Sequence, residues 1–322
     1  MASRIVPIRC PYGTTAVMAY LVLGAEPALV DTGDATHARG PIAMALREHG
    51  LDLGDVRTVV NTHGHYDHAG GNAAVAAIRP PGSVGNARPA VLIHEAGGAL
   101  LADAAPHLEG YFTAAARLLA QPAQEATLRA GFATLWGGPS TPTRTLADGD
   151  RVDLGGGVVL DVLHLPGHAD DHVGLFWERE GVLIAGDAAQ GTGSRVGGGP
   201  LYFGSVRMAR ASLARLLAVP FRTLHVSHPF GMLGTDDRAT TYGAAGGRAF
   251  LAASLDVLDT TEAAVRAALR RRPAEPFPAF ARAVTAELER AGRWPLRPDP
   301  QTGVPPNAAP TLAGIVAEVD GG

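Results

Sequence analysis

Short apolar runs separated by glycine-rich and polar turns recur through residues 1–234, and this pattern predicts strands joined by tight connections. Val17–Leu23 and Ala28–Asp31 are predicted as the first two strands. Arg57–Asn61 and Ala90–His94 are predicted as two more, because each is an apolar run bounded by polar residues.

Helical spacing fills the stretches between these strands. Within Thr36–Gly50, bulky side chains recur at Ile42, Leu46 and His49, and Gly50 marks the C-terminal end of a predicted helix. Three further segments have helical patterns: Gly70–Ala77, Glu95–Ala102 and Ser205–Leu217. Strands and helices therefore alternate along this part of the chain.

Residues 103–145 depart from this alternation and are predicted to be an insertion. It contains two helical segments, Thr113–Ala120 and Ala123–Leu135, and four aromatic side chains: Tyr111, Phe112, Phe132 and Trp136. Two interpretations stay open, because the aromatic rings could line a substrate cleft or pack into a local core.

The pattern becomes helical and alanine-rich from about Thr235. Helices are predicted over Phe250–Leu258, Thr261–Arg272 and Ala279–Ala291, the second opened by a Thr-Thr-Glu capping signal.

The C-terminal residues 295–310 are proline-rich, which predicts an extended or disordered tail whose last stretch, Leu312–Val319, could dock back onto the body. We therefore divide the chain into a main domain at 1–234, a helical appendage at 235–294 and a Pro-rich tail at 295–322.

Composition narrows the class of protein. A hydrophobic fraction of 46% over 322 residues supports a sizeable core, and the net charge of −4 argues against a dominant nucleic-acid or membrane surface. No apolar run reaches the roughly 20 residues that span a bilayer, and no secretory signal is evident, so we expect a cytoplasmic protein. The single Cys10 excludes an internal disulfide, and the absence of lysine excludes a Schiff-base mechanism.

The segment THGHYDHAGG, from Thr62 to Gly71, carries the most specific chemistry, with three histidines and an aspartate close together. Neutral imidazoles offer nitrogen lone pairs to zinc, iron or manganese, and a carboxylate adds charge that holds the ion. His63 and His65 alternate along an extended segment and so point the same way. Asp67 and His68 follow where a helix begins, so they could face a second ion. A polar loop with chance histidines is the alternative.

Three strand-to-loop junctions downstream argue against a chance cluster. Each is an apolar strand followed by a ligand-type side chain: His168 after Pro166-Gly167, Asp187 after Gly186, and His228 after Ser227. Strand ends at the mouth of a sheet are where α/β folds place their chemistry.

The motif His63-x-His65-x-Asp67-His68, followed by these three junctions, resembles the metallo-β-lactamase superfamily over roughly residues 4–232. The resemblance implies a four-layer αββα sandwich, an α/β fold with two mixed sheets face to face and helices outside, followed by the C-terminal helical appendage.

The resemblance also implies a dinuclear metal site. By it, His63, His65 and His168 hold the first metal. Asp67, His68 and His228 hold the second, and Asp187 bridges the two. Asp31 matches a family aspartate that supports a ligand or the metal loop. Two zinc ions are expected, with iron or manganese as alternatives.

From this site we predict a metal-dependent hydrolase that cleaves an acyl bond of a small substrate, a thioester, ester or lactone, through a metal-bound hydroxide. Asp67 is expected to act also as a proton shuttle. Tyr202 and Trp136 are candidate substrate contacts. A small acyl compound is the expected partner, a membrane and nucleic acid are not, and a homodimer is compatible with the resemblance.

Two other activities on the same fold stay open. A persulfide dioxygenase would use a single iron at the positions of His63, His168 and Asp187, but the segment after Asp187 lacks the Cys-Gly-Arg pattern associated with that group. The segment Pro166–Val173 also resembles the β-lactamase-like protein 2 group, which includes ribonucleases, although the acidic net charge argues against RNA. In that segment, His172 is expected to be structural.

Overall fold

Two six-stranded sheets form the centre of the computed structural model, which describes residues 4–78, 88–193, 198–232, 239–272, 275–292 and 299–320. The first sheet has its strands in chain order: β1 (Arg4–Tyr12), β2 (Thr15–Leu23), β3 (Pro27–Val30), β4 (Thr58–Val60), β5 (Ala90–His94) and β6 (Arg144–Leu146). β1 to β3 are antiparallel neighbours, and β3 to β6 are parallel. The sheet is therefore mixed, as the sequence predicts.

The second sheet contains the strands of the later half in reverse order from edge to edge. They are β7 (Arg151–Asp153), β8 (Val159–His164), β9 (Val173–Trp177), β10 (Val182–Gly186), β11 (Thr223–Val226) and β12 (Thr241–Gly243). β10 and β11 are parallel, and the other neighbouring pairs are antiparallel. β8, β10 and β11 consequently run in the same direction and end at one edge of the sheet.

Eleven α-helices lie among the described residues. They are α1 (Ala43–Glu48), α2 (Tyr66–Ala69), α3 (Asn72–Ala76), α4 (Gly98–Ala102), α5 (Ala104–His107), α6 (Ala114–Leu118), α7 (Pro122–Phe132), α8 (Val206–Ala218), α9 (Ala244–Arg271), α10 (Phe277–Arg290) and α11 (Ala308–Asp320). Within these residues, no helix is long and apolar enough to cross a membrane.

The alternation of side chains along β2 shows how the layers are built. Met18, Tyr20 and Val22 pack between the two sheets, whereas Val17 and Leu21 point to the opposite face and pack under α1 and α3. A third apolar cluster lies between the outer face of the second sheet and helices α8 to α11. Helix, sheet, sheet and helix layers thus stack in the αββα order, and the predicted fold class is confirmed.

One prediction about the C-terminal helices is wrong. Phe250–Leu258 and Thr261–Arg272 belong to a single helix, α9, which runs from Ala244 to Arg271. Thr261 does not cap a new helix, because its buried hydroxyl donates to the Val257 carbonyl at 2.6 Å within the same helix.

The sheet also extends past residue 234, where we placed the end of the main domain, because β12 pairs with β11. Residues 308–320 form α11 rather than a continuation of the extended tail, and residues 295–298 of the predicted tail lie outside the described residues. α11 docks on the body: the Thr311 hydroxyl donates to the Pro200 carbonyl at 2.7 Å and accepts the Tyr202 amide at 2.9 Å.

Candidate metal centre

The segment after β4 carries four of the predicted ligands on a short extended stretch and the first turn of α2. Asp31, at the end of β3, holds this stretch in place. It adopts φ of 61°, a left-handed conformation that Asp tolerates better than most residues. Its Oδ1 accepts the Thr62 amide at 2.8 Å, and its Oδ2 accepts the Thr62 hydroxyl at 2.8 Å. Asp31 is thus positioned as the sequence predicts, behind the ligand loop.

The other three predicted ligands come from the second sheet. His168 follows β8, Asp187 follows β10 and His228 follows β11, and these strands end at the edge that faces the His63–His68 segment. Residues far apart in sequence are therefore brought together by strand direction alone.

The seven side chains converge, and we call them the His/Asp cluster: His63, His65, Asp67, His68, His168, Asp187 and His228. His65 Nδ1 lies 3.0 Å from the Nε2 atoms of both His63 and His168. Asp67 Oδ2 lies 3.8 Å from His68 Nε2 and 3.5 Å from His228 Nε2. In each of these groups of three, the candidate ligand atoms all lie within 4.8 Å of one another.

Asp187 lies where these groups meet. Its Oδ2 is 3.6 Å from His68 Nε2, 3.5 Å from His168 Nε2 and 3.3 Å from His228 Nε2. A single carboxylate oxygen thus contacts one histidine of the first predicted set and two of the second.

Hydrogen bonds on the far side of the rings determine which nitrogen faces the centre. His68 Nδ1 donates to Asp31 Oδ2 at 2.9 Å, His168 Nδ1 donates to the Leu201 carbonyl at 2.6 Å, and His228 Nδ1 donates to the Ala16 carbonyl at 2.8 Å. Each bond turns the Nε2 atom toward the centre, which is how ligating histidines are held in proteins.

Burial and charge divide the cluster into two electrostatic parts. Burial, reinforced by neighbouring imidazoles, holds the pKa of His63 and of His65 well below the usual value, so both rings are neutral. Burial also works against the charge on His228, yet the carboxylates of Asp187 and Asp67 raise its pKa to about 10.

The pKa of the Asp187 carboxylate shifts in the opposite direction. Burial favours the neutral form of Asp187, but His228 and His68 overcome it and hold the pKa of Asp187 well below its usual value. Without a metal ion, histidine protons balance these negative charges.

The residues fit a divalent metal. Among the described residues, His68 Nε2 and Asp187 Oδ1 are buried polar atoms without a hydrogen-bond partner, and both point into the cluster. Buried atoms of this kind are costly unless an ion or water completes them. Neutral imidazoles with carboxylates form the donor set that zinc and similar ions take. The chain thus has a divalent metal site, although the fit does not identify the ion.

Two buried residues beside the cluster support it. His172, expected from the sequence to be structural, accepts the Asp187 amide on Nε2 at 3.0 Å. Gln190 was not anticipated: its Oε1 accepts the Leu201 amide at 2.7 Å and its Nε2 donates to the Leu201 carbonyl at 2.8 Å. Gln190 thereby holds the carbonyl that orients His168. A lone glutamine in a glycine-rich loop carries no sequence signal for this role.

A cavity of about 570 Å³ opens over the cluster, with His65, Asp67, His168, Asp187 and His228 in its inner end. Residues of two segments, 107–128 and 299–310, close it on the outside, and we call them the outer wall. The aromatic rings of the insertion thus divide between its two open interpretations: Tyr111 and Phe112 line the cleft, whereas Phe132 and Trp136 pack against each other.

The two predicted substrate contacts lie elsewhere. Tyr202 is only 1% exposed and its hydroxyl points to the Ala188 carbonyl in the core, so it does not reach the cavity. Trp136 stacks on Phe132 and is not part of the cavity lining. Tyr111 and Phe203 take the places that the sequence interpretation gave to Trp136 and Tyr202. Tyr202 and Phe203 are neighbours in sequence, but their rings point to opposite sides of the loop.

Comparison with known proteins agrees with this geometry. A sequence model described as the metallo-beta-lactamase superfamily matches residues 12–228. A hydroxyacylglutathione hydrolase of Hahella chejuensis is 29% identical over 205 residues, 63% of this chain and 56% of that protein. A second one, from Cereibacter sphaeroides, is 27% identical over 226 residues, 70% of this chain and 65% of that protein. The match thus spans less than two thirds of either curated relative.

Among solved structures, a metallo-beta-lactamase family protein of Thermus thermophilus is similar to this chain with a TM-score of 0.66 and 25% identity. The likeness covers 99% of this chain and 94% of that protein, so it includes the C-terminal helices.

Proposed function

We propose that this chain, which belongs to the metallo-beta-lactamase superfamily, is a dinuclear hydrolase that cleaves a thioester, ester or lactone bond of a small substrate. Membership of the superfamily and the similarity to hydroxyacylglutathione hydrolases support a metal-dependent hydrolase. The number of ions, their identity as zinc and the acyl bond are our proposals.

The observation that carries a two-metal site is the position of Asp187. Its Oδ2 lies within 3.3 to 3.6 Å of the Nε2 atoms of His68, His168 and His228, between the two predicted ligand sets. In the proposed arrangement, His63, His65 and His168 hold one ion, Asp67, His68 and His228 hold the other, and Asp187 bridges them. A mononuclear iron site at His63, His168 and Asp187 would leave the rest of the cluster without a role.

Bound ions of this kind would lower the pKa of water to near neutrality and polarise a carbonyl group. The chain itself contributes proton handling. Asp67 lines the cavity, and we propose that its carboxylate passes a proton from water to the leaving group. A serine or cysteine nucleophile is not required.

The acyl bond is supported by the similarity to the two hydroxyacylglutathione hydrolases, whose name denotes a thioester substrate. The cytoplasmic location, the small acyl partner, a homodimer and the division of the chain at residues 234 and 294 remain predictions.

Metal content and hydrolysis, measured on the same preparation, test this function. We expect about two zinc ions per chain by elemental mass spectrometry and turnover of at least one substrate from a panel of thioesters, esters and lactones. About one iron per chain without hydrolysis would contradict the proposal.

Variants of the cluster complete the test. His65→Ala and Asp187→Ala should each lower kcat/KM by about a thousandfold or more, because the ion and its water are lost together, while far-UV circular dichroism stays native. The control is His49→Ala, since the His49 ring lies outside the cluster and contacts Arg4. Wild-type turnover in either cluster variant would show that the cluster is not catalytic.

A further inference from the structure

Two aromatic rings stand directly beside the inner end of the cavity. The Tyr111 ring centroid lies 4.3 Å from that of His65, and the Phe203 centroid lies 5.4 Å from it. Tyr111 and Phe203 also contact each other edge to face at 5.1 Å. Both side chains are half-buried and line the cavity, so each leaves part of its ring open to a bound molecule.

The backbone around Tyr111 forms an irregular turn that carries two aromatic residues of the cavity lining. Leu108–Phe112 forms a single π-helical turn between α5 and α6, an irregularity that recurs at functional sites. It directs Tyr111 and Phe112 into the cavity in succession, and Phe112 packs edge to face on Tyr66 at 5.0 Å. The inner cavity is therefore apolar and aromatic immediately beyond the cluster.

The mouth of the cavity is polar but has little charge. Gln121 and Gln124 of the insertion face Gln301 and Asn307 of the C-terminal segment. Apart from Asp67 and Asp187 in the cluster, Asp299 is the only acidic side chain in the described lining, which contains no arginine. The chain has no lysine.

Asp299 is fixed at the mouth by its own segment. Its Oδ1 accepts the backbone amides of Gln301 at 2.8 Å and Thr302 at 2.9 Å. Among the described residues, a substrate carboxylate or phosphate that reached the mouth would meet Asp299 and neutral amides.

We propose that the cavity selects uncharged acyl compounds with an aromatic or other apolar acyl group, and discriminates against acyl groups carried on glutathione. The binding specificity is a property of the cavity itself, and its role in catalysis rests on the proposed hydrolase function. The acyl group would lie against Tyr111 and Phe203, and the leaving group would extend past the amides at the mouth.

The physical basis is the difference between the two ends of the substrate. Burying an aromatic acyl group against these rings is favourable because it removes apolar surface from water. The carboxylates of a glutathione group would lose part of their hydration without gaining a cation from the described lining, and this cost disfavours glutathione compounds.

Binding measured apart from catalysis tests the proposal. The probes are two uncleavable thioethers that share a phenylethyl group, one on N-acetylcysteamine, which is uncharged, and one on glutathione. We expect calorimetry with the full-length, metal-loaded protein to show about tenfold tighter binding of the uncharged thioether. Equal or tighter binding of the glutathione thioether would overturn the proposal.

A charge placed at the mouth gives a second readout. Gln124→Arg should strengthen binding of the glutathione thioether relative to the uncharged one by about threefold to tenfold. Thr127→Arg is the matched control, because Thr127 lies on the same helix, exposed and outside the cavity lining. The same gain in both variants, or none in Gln124→Arg, would contradict charge selection at the mouth.

Turnover of the corresponding phenylacetyl thioesters separates this proposal from the proposed function. Preferred binding of the uncharged thioether without hydrolysis of either thioester would leave the cavity specificity standing and remove the hydrolase activity toward thioesters. Hydrolysis of both thioesters with equal kcat/KM and equal thioether binding would support the hydrolase and overturn the specificity.

Discussion

The His/Asp cluster and the outer wall surround the same cavity but are built in different ways. Every cluster residue lies on a loop that follows a strand or in the helix after one, and three of the histidine rings are held by a partner behind them, as His68 is by Asp31. The outer wall comes from an insertion and from residues 299–310, and Thr311 attaches the C-terminal part to the body. We infer that the rigid cluster supplies the chemistry and that the wall supplies selectivity.

The largest effect that separates the two regions is expected from Asp31→Asn. The change removes the charge that orients His68 through Nδ1 and anchors the loop through Thr62. We expect zinc affinity to fall by about 10- to 100-fold, measured by competition with a chelator, because partners behind metal ligands have effects of that size.

Gln124→Ala in the outer wall provides the contrast for Asp31→Asn and should leave zinc affinity unchanged. If both variants weakened zinc binding equally, the cluster and the wall would not be separate functional regions.

A loss of stability of intermediate size is expected when the pH is lowered, and it arises in β11, the strand that precedes His228. His225 lies on β11, and burial lowers its pKa to about 4 from the ordinary value near 6.5. The unfolded chain binds this proton more readily than the folded chain does. The contribution of neutral His225 to the free energy of unfolding is therefore complete above pH 6.5 and is lost as pH falls toward 4. The loss is about 2 kcal/mol at pH 5.

His225→Gln tests this directly, because glutamine has no proton to gain. Urea unfolding of the metal-free protein at pH 7 and pH 5 should show a smaller loss of stability in the variant than in the wild type. His49→Gln is the control, because it replaces a histidine by glutamine outside β11. An equal loss in His225→Gln and wild type would place the acid sensitivity elsewhere.

The smallest effect is expected from Thr311→Val in the attachment of the outer wall. The variant loses the bond to the Pro200 carbonyl and leaves the buried Tyr202 amide without its acceptor. Thermal unfolding should show a loss of about 1 to 2 kcal/mol, with the metal content unchanged.

The matched control is Thr127→Val, because the Thr127 hydroxyl donates to a carbonyl within its own exposed helix. A loss of metal from Thr311→Val would show that the wall also supports the cluster.

The sequence alone placed each cluster residue after a predicted strand, and its motif carried the resemblance that implied the superfamily and the αββα layers. The motif is a local feature: three histidines with an aspartate in one short loop have few explanations other than a metal. Strand direction then brings His168, Asp187 and His228 to the same edge. The structure assembles all seven side chains, and their role as ligands remains a proposal.

Tertiary structure decided what surrounds the cluster. Tyr202 and Phe203 are neighbours in sequence, yet one ring is in the core and the other lines the cavity, and composition does not distinguish them. The Thr-Thr-Glu signal likewise failed at Thr261, since a buried hydroxyl found its acceptor inside α9. Residues 299–310 meet the insertion only because α11 packs against the body. Such contacts depend on the packing of segments about 180 residues apart, which no local pattern encodes.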